Sequence, residues 1–357
     1  MLYQCRECMS EYPLNTLEYK CKCGGHFNLK FNKSGYKPDL YKDVSNLSLW
    51  DYECVLPFNK EESRDITMME GLTPLIPSEE DLYAKAEYYM PTLSFKDRGG
   101  VMLVLLAKKI GLSEIAIDSS GNAATSVTAY STRAGVRCHV FVPEKTSTNK
   151  LKQIQAHGGI VHTVWGNRED TSLAVKEFIT LNNIFYASHI YNPVFYHGTK
   201  TYFYEVFEQL GFRFPDIFII PIGNGTLIFG AELAFLELKE AGYIQKYPKI
   251  IGVQAKNCAP LISEDPVSIK ETIAEGIAIP NPPRKKEILE IVNSTGGYII
   301  GVDEDEILSA KDGLAKKGLY VEDTSAVNYC AYLKIKENLT PSESVVIPLC
   351  GSGLKSN

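Results

Sequence analysis

The chain has 357 residues, 45% hydrophobic and 22% charged, the composition of a folded globular protein with room for two domains. Its net charge of −6 gives no footprint for nucleic acid, though local cations and helix N-termini still allow a small anion to bind. No apolar run approaches the ~18 residues of a membrane span, and Met1 to Ser10 carries cysteines and charges where a signal peptide needs an apolar stretch, so a cytoplasmic protein that binds no membrane is expected.

Four of the nine cysteines cluster at the start, as Cys5-Arg6-Glu7-Cys8 and Cys21-Lys22-Cys23-Gly24-Gly25. Two short strands would bring these knuckles together, and four thiolates satisfy tetrahedral zinc while leaving no open position for substrate. The paired glycines permit the tight turn around a metal. Two disulfides or four free thiols are the alternatives, and a reducing compartment argues against disulfides. The second pair is CxC rather than CxxC, a weaker signal. His26 is a surface residue if all four thiols converge and the substitute ligand if Cys23 points away. Cys54, Cys138, Cys258, Cys330 and Cys350 read as small buried apolar side chains.

From Leu82 onward, short β-rich runs alternate with longer helical runs. A helix over Val101 to Ile110 stops at Gly111. A strand at Ile115 to Ile117 leads into a turn, then a helix over Ala123 to Ala134 ends at Gly135. A strand follows at Val136 to Val142, then a helix over Thr148 to His157. Strands at Ile160 to Val164 and Ile184 to Ala187 flank another helix. The second half repeats the pattern: a helix over Thr199 to Leu210, a strand at Ile217 to Ile222, a helix over Leu227 to Glu240, a strand at Ile250 to Gln254 and a last strand at Val345 to Leu349. This alternation predicts an α/β fold of mostly parallel sheets covered on both faces, with a hinge near Asn192-Pro193 to Gly198.

Three stretches carry chemistry. Pro91-Thr92-Leu93-Ser94-Phe95-Lys96-Asp97-Arg98-Gly99-Gly100 places a lysine at a helix start, where burial, Arg98 and the helix N-terminus lower its pKa. Ser119-Ser120-Gly121-Asn122-Ala123-Ala124 and Gly223-Asn224-Gly225-Thr226 are glycine-containing turns from strand to helix. A lysine followed by two such turns looks like a pyridoxal phosphate (PLP) site. Lys96 would form the Schiff base, and the Asn122 amide would donate to the cofactor phenolate. The N–H groups of Ser119, Ser120, Gly121 and Ala123 would take a substrate carboxylate, and Gly223, Asn224, Gly225 and Thr226 would take the cofactor phosphate. Cys350, at the end of the last strand, either faces the ring nitrogen as a neutral group or is simply buried. Each stretch alone has an ordinary reading: a solvated lysine, a capping segment, a glycine turn no stronger than a lone GxGxxG.

Together these residues resemble the zinc-ribbon-bearing branch of threonine synthases, within the tryptophan-synthase-β-like (fold type II) PLP enzymes. The resemblance runs from Cys5 to Lys355. It rests on the cysteine pairs, Gly71-Leu72-Thr73-Pro74-Leu75, Pro91 to Gly99, Ser120 to Ala124, Arg133-Ala134-Gly135, Gly223 to Thr226, Glu322 to Ala326 and Cys350 to Lys355. It implies two doubly wound, mostly parallel-sheet domains behind a small zinc ribbon: residues 1–30 as the ribbon, 31–200 with the lysine and asparagine loop, and 201–357 with the phosphate turn. The first segment of the middle domain has the option of packing on the last. Arg133 falls where the family binds the substrate phosphate, with Ser120 and Asn167 as further candidates. The implied reaction converts O-phosphohomoserine and water to threonine and phosphate, in a homodimer.

Three positions depart from the family pattern. Met90-Pro91-Thr92-Leu93-Ser94 stands where Asn-Pro-Thr-Gly-Ser is usual, Cys350 where threonine is usual, and Ser352 where histidine is frequent. The alternative readings are β-replacement on O-phosphoserine (cysteate-synthase-like or sulfhydrylase-like), a serine or threonine dehydratase, and a non-catalytic binding protein.

Overall fold

The computed structural model describes residues 1–33, 35–37, 47–146, 148–262 and 269–355. The chain opens with β1 (Leu2–Cys5), β2 (Glu11–Pro13) and β3 (Phe27–Lys30), then the one-turn helix α1 (Lys60–Ser63) and strands β4 (Leu75–Pro77) and β5 (Leu82–Lys85). Next come α2 (Lys96–Lys109), β6 (Glu114–Asp118), α3 (Asn122–Ala134), β7 (Arg137–Pro143), α4 (Thr148–Ala156), β8 (Ile160–Val164), α5 (Arg168–Asn182) and β9 (Phe185–Tyr186). Helices α6 (Pro193–Thr199) and α7 (Thr201–Gln209) lead to β10 (Ile217–Pro221), α8 (Thr226–Glu240) and β11 (Lys249–Ala255). The chain finishes with α9 (Lys285–Ser294), β12 (Tyr298–Val302), α10 (Glu304–Lys316), α11 (Asp323–Ile335) and β13 (Val345–Pro348).

These elements form two compact units, Met1–Gly71 with Lys96–Thr201, and Leu72–Phe95 with Tyr202–Asn357. Residues Leu72–Phe95, within the segment given the option of packing on the last domain, belong to the second unit because β5 pairs in parallel with β13 and β4 pairs with β5. The expected hinge at Asn192 to Gly198 is instead buried helix. Asn192 caps α6 by accepting from Val194 N–H, and Pro193 occupies the first turn, where its missing N–H costs nothing.

The first unit holds an antiparallel sheet of order β2-β1-β3 and a parallel sheet of order β8-β7-β6-β9. Ala116, Phe141 and Tyr186 pack with Val175 and Ile179 of α5 on one face of the parallel sheet. Helix α2 is buried from Asp97 to Ala107, so it is apolar on nearly every side, as a central helix must be. Its contact with α6 is set by glycines. A Cβ on Gly198 would stand 1.9 Å from the Arg98 carbonyl oxygen, and one on Gly99 would stand 2.5 Å from the Phe195 ring. Arg98 is itself buried and donates through Nη1 to Thr201 Oγ1 at 2.8 Å.

The second unit is one six-stranded sheet of order β12-β11-β10-β13-β5-β4, parallel except for the β4–β5 edge. Its interior holds a fully buried ion pair, Lys85 Nζ to Glu205 Oε2 at 2.7 Å. The ammonium also donates to the Thr73 carbonyl at 2.6 Å and to Gln209 Oε1 at 2.9 Å. All three lysine donors are used, which offsets the cost of burying the charge.

Four histidines of the first unit have pKa values pushed down, each chiefly by burial. Arg137 adds to the effect at His139, His139 at His162, Lys96 and Arg168 at His189, and Lys200 and Lys33 at His197. His139 Nδ1 and His162 Nε2 stand 2.9 Å apart, so the pair has no room for two ring protons between them. These rings bind protons more weakly when folded than when unfolded. The unfolded chain therefore gains protons first as pH falls through the ordinary value of 6.5, and stability present above that pH is lost below it. The thermal midpoint is expected to fall by several degrees between pH 7.5 and 5.5, at roughly 2–4 °C per kcal/mol. His162→Phe, which keeps the stack on Phe141, should reduce that difference; an unchanged difference would remove the pair from the account.

Candidate active site

Both parallel sheets grow outward from a single pair of strands. In the first unit β6 is followed on one side by β7 and β8, while β9 lies on the other. In the second unit β11 and β12 extend from β10, while β13 and β5 lie on its other flank. At such a reversal the crossover connections leave in opposite directions and the carboxyl edge stays open, which is where α/β sheets bind ligands.

At the first reversal β6 ends at Asp118 and the chain enters α3 through Ser119, Ser120 and Gly121. Gly121 is the N-cap of α3 and makes no side-chain capping bond. Ser119 Oγ accepts from Gly121 N–H at 3.3 Å and shapes the turn. Across the gap, β9 runs into a tight turn in which Ser188 Oγ accepts from the N–H groups of Ile190 and Tyr191. That turn carries His189, which is 8% exposed and whose Nδ1 has no hydrogen-bond partner among the described residues. Lys96, half-buried at the first position of α2, holds its Nζ 5.8 Å from the centroid of the Phe195 ring. His189 stands against the same ring, centroid to centroid 6.0 Å.

Arg133 stands away from this turn, and Asn167 serves as a helix cap. Arg133 is eleven residues along α3 from Asn122, about 16 Å at the helical rise, so it sits at the opposite end of the helix. Its guanidinium is committed there, Nε to the Ile66 carbonyl at 2.9 Å and Nη2 to the Thr67 carbonyl at 3.1 Å. Asn167 is the N-cap of α5. Its amide oxygen accepts from Glu169 and Asp170 N–H, and Asp170 returns a bond to its backbone. Lys96 and His189 both border the Phe195 ring, and the sequence analysis did not single out His189. Its signal was present: a histidine just after a short strand in a parallel αβ alternation.

At the second reversal β10 enters α8 through Gly223, Asn224 and Gly225, with Thr226 the first helical residue. Gly225 is the N-cap at φ +74°, a left-handed conformation suited to glycine, and again there is no side-chain cap. The turn is closely walled. A Cβ on Gly223 would lie 3.0 Å from Ile277 Cα, and one on Gly225 would lie 2.7 Å from the Ile288 side chain. Asn224 Oδ1 is buried without a hydrogen-bond partner among the described residues. Uncapped N–H groups, glycine curvature and a threonine hydroxyl form a donor set that fits a phosphate.

Cys350 follows β13 on the neighbouring strand and is 1% exposed. Its carbonyl accepts from Phe95 N–H at 2.9 Å, and Ser94 bridges Gly351. Lys355 Nζ donates to the Thr92 carbonyl at 2.6 Å, and Ser352 N–H to the Leu93 carbonyl at 3.1 Å. The segment that precedes Lys96 in the chain is thus strapped to the C-terminal segment of the second unit. Leu93 has φ +63°, so this chain carries a branched side chain in a conformation glycine adopts more cheaply.

In the N-terminal sheet the four thiols converge. Cys5 Sγ and Cys23 Sγ are 3.5 Å apart, as are Cys8 Sγ and Cys21 Sγ, and all four sulfurs lie within 4.8 Å of one another. Tetrahedral zinc with bonds of about 2.3 Å needs sulfurs under 4 Å apart, so the cluster is compatible with a zinc ribbon. Cys23 faces the cluster, and His26 instead stacks on Tyr191 at 5.8 Å.

Residues 66–351 match the model of the pyridoxal-phosphate dependent enzymes. The chain is 33% identical to a threonine synthase of Methanocaldococcus jannaschii, over 99% of this chain and 93% of that protein. It is 37% identical to a threonine synthase of a Bacillus species, over 86% of this chain and 89% of that protein. Among solved structures, maize serine racemase superposes with a TM-score of 0.68 at 20% identity, covering 82% of this chain and 92% of that one. Cysteine synthase from Entamoeba histolytica superposes at 0.69 and 21%, covering 90% and 92%. Those two likenesses show the shared fold. With its lysine at a helix start and two glycine-capped helices at the sheet reversals, the chain belongs to the fold type II pyridoxal-phosphate dependent enzymes, as a homologue of the threonine synthases.

Proposed function

We propose that this enzyme releases phosphate from O-phosphohomoserine and adds water to give threonine. The observation that carries the reading is the threonine synthase relatives, similar over nearly the full chain, joined to the two open helix ends and Lys96. Bound PLP supplies an electron sink that acidifies the α carbon of an amino acid and, through it, the β carbon.

The rest falls to the protein. Gly223, Asn224, Gly225 and Thr226 hold the cofactor phosphate with the N-terminus of α8. The Asn122 amide would hold the cofactor phenolic oxygen, and the turn of Ser119, Ser120, Gly121 and Ala123 would receive the substrate carboxylate. Lys96 would anchor the cofactor and supply the amine that moves protons at Cα, Cβ and Cγ. Cys350, buried and thiol-bearing, would offer the ring nitrogen a neutral neighbour, which suits elimination over transamination. The N-terminal cysteines hold one structural zinc ion. A cytoplasmic homodimer completes the reading.

Purified protein with PLP should release phosphate from O-phosphohomoserine, and borohydride reduction should label Lys96. Lys96→Ala should abolish both. Keto acid from unphosphorylated threonine, or product from O-phosphoserine with sulfide, in place of phosphate release would redirect the substrate assignment. Arg133→Ala should keep kcat/KM within about threefold and lower the thermal midpoint, because its two bonds tie residues 66–67 to α3. A loss above about a hundredfold would return Arg133 to substrate binding. Elemental analysis should find one zinc per chain, and Cys21→Ser should release it and destabilise the first unit. Full retention of metal by that variant would count against four-sulfur binding.

A further inference from the structure

The unused group at the first reversal is His189. It is held rigidly: Ser188 fixes the turn on which it rides, Ala187 N–H donates to the Ala116 carbonyl, and Asn192 N–H closes on the Ser188 carbonyl. It is more than nine-tenths buried, yet Nδ1 makes no hydrogen bond. Leaving a buried polar atom without a partner costs about 1–3 kcal/mol, a cost seldom carried without a use. The ring stands edge-wise beside Phe195, Phe195 packs on Gly99 of α2, and Lys96 Nζ borders the same ring, close enough for its charge to act on His189.

We propose that His189 is a positioning residue for Lys96, its Nδ1 accepting a hydrogen bond from the lysine amine whenever that amine is released from the cofactor. The proposal rests on the reading of Lys96 given above. A released lysine has three rotatable bonds' worth of freedom at its tip, and proton transfer at three substrate carbons demands a defined lone-pair direction. A fixed acceptor on one side turns the lone pair to the other. The acceptor must stay neutral beside a cationic amine. Burial, the charge of Lys96 on α2 and that of Arg168 on α5 all hold the His189 pKa well below its ordinary value, so the ring keeps its lone pair at neutral pH.

The test uses the full-length chain freed of cofactor. Lys96 labelling by an amine-reactive reagent is followed against pH by peptide mapping, in wild type, His189→Leu and His189→Gln. Losing the acceptor destabilises the ammonium, so His189→Leu should lower the labelling midpoint by about half a unit or more. His189→Gln, which keeps an acceptor, should stay near wild type. With PLP bound, His189→Leu should lower kcat about tenfold or more with KM within about twofold. An unmoved midpoint, a glutamine variant that behaves like leucine, or a rise in KM alone would overturn the proposal. Failure of the parent reading looks different: wild type would then show no borohydride-trapped adduct on Lys96, whatever the labelling profile.

Discussion

A parallel sheet that extends both ways from one strand pair cannot cover its own carboxyl edge at that pair. Crossover helices on the two sides leave in opposite directions, and the gap between them is open to a ligand. This chain meets the constraint twice, at β6 beside β9 and at β10 beside β13. At both places the helix that leaves the edge has a glycine N-cap with no side-chain bond. Elsewhere α5 is capped through Asn167 and α6 through Asn192, while α9 and α11 also start without a side-chain cap, so the missing cap alone does not mark the reversals.

Much of this was legible. A strand ending in Gly-Asn before a helix states its geometry in sequence, because glycine marks the turn and the helix start supplies the donors. The lysine helix and both turns lie where the alternation put them. Distance along and across elements was less legible. Arg133 shares a helix with Asn122, and eleven helical residues put the two at opposite ends. Asn167 carried its own explanation, since Asn-x-x-Asp before an apolar run is a reciprocal cap. The placement of Leu72–Phe95 was legible only as an option that the resemblance raised, without its bounds. It depends on β5 pairing with β13, more than two hundred residues away, and strand register at that range leaves no local mark.

The buried cations of the interior show how a scaffold satisfies its polar groups. Lys85 is completely buried and spends all its donors on Glu205, Thr73 and Gln209. Arg98 is equally buried and bonds Thr201. Such groups are costly to break and have nothing left to offer a substrate, so they fix packing. Asn224 Oδ1 and His189 Nδ1, at the sheet reversals, are buried without a bond among the described residues, as are Ser126 Oγ and His197 Nδ1 away from them.

That contrast bears on how a lysine becomes a catalyst here. Burial alone would not distinguish Lys96 from Lys85, since the second is the more deeply enclosed. What differs is the charge supplied nearby. Lys85 has a carboxylate in contact, which holds the ammonium and removes its nucleophilicity. Around Lys96 the structure places an aromatic ring and a histidine kept uncharged by burial and by neighbouring cations. Lys85 is thereby a structural cation, whereas the proposed chemistry asks a reactive amine of Lys96.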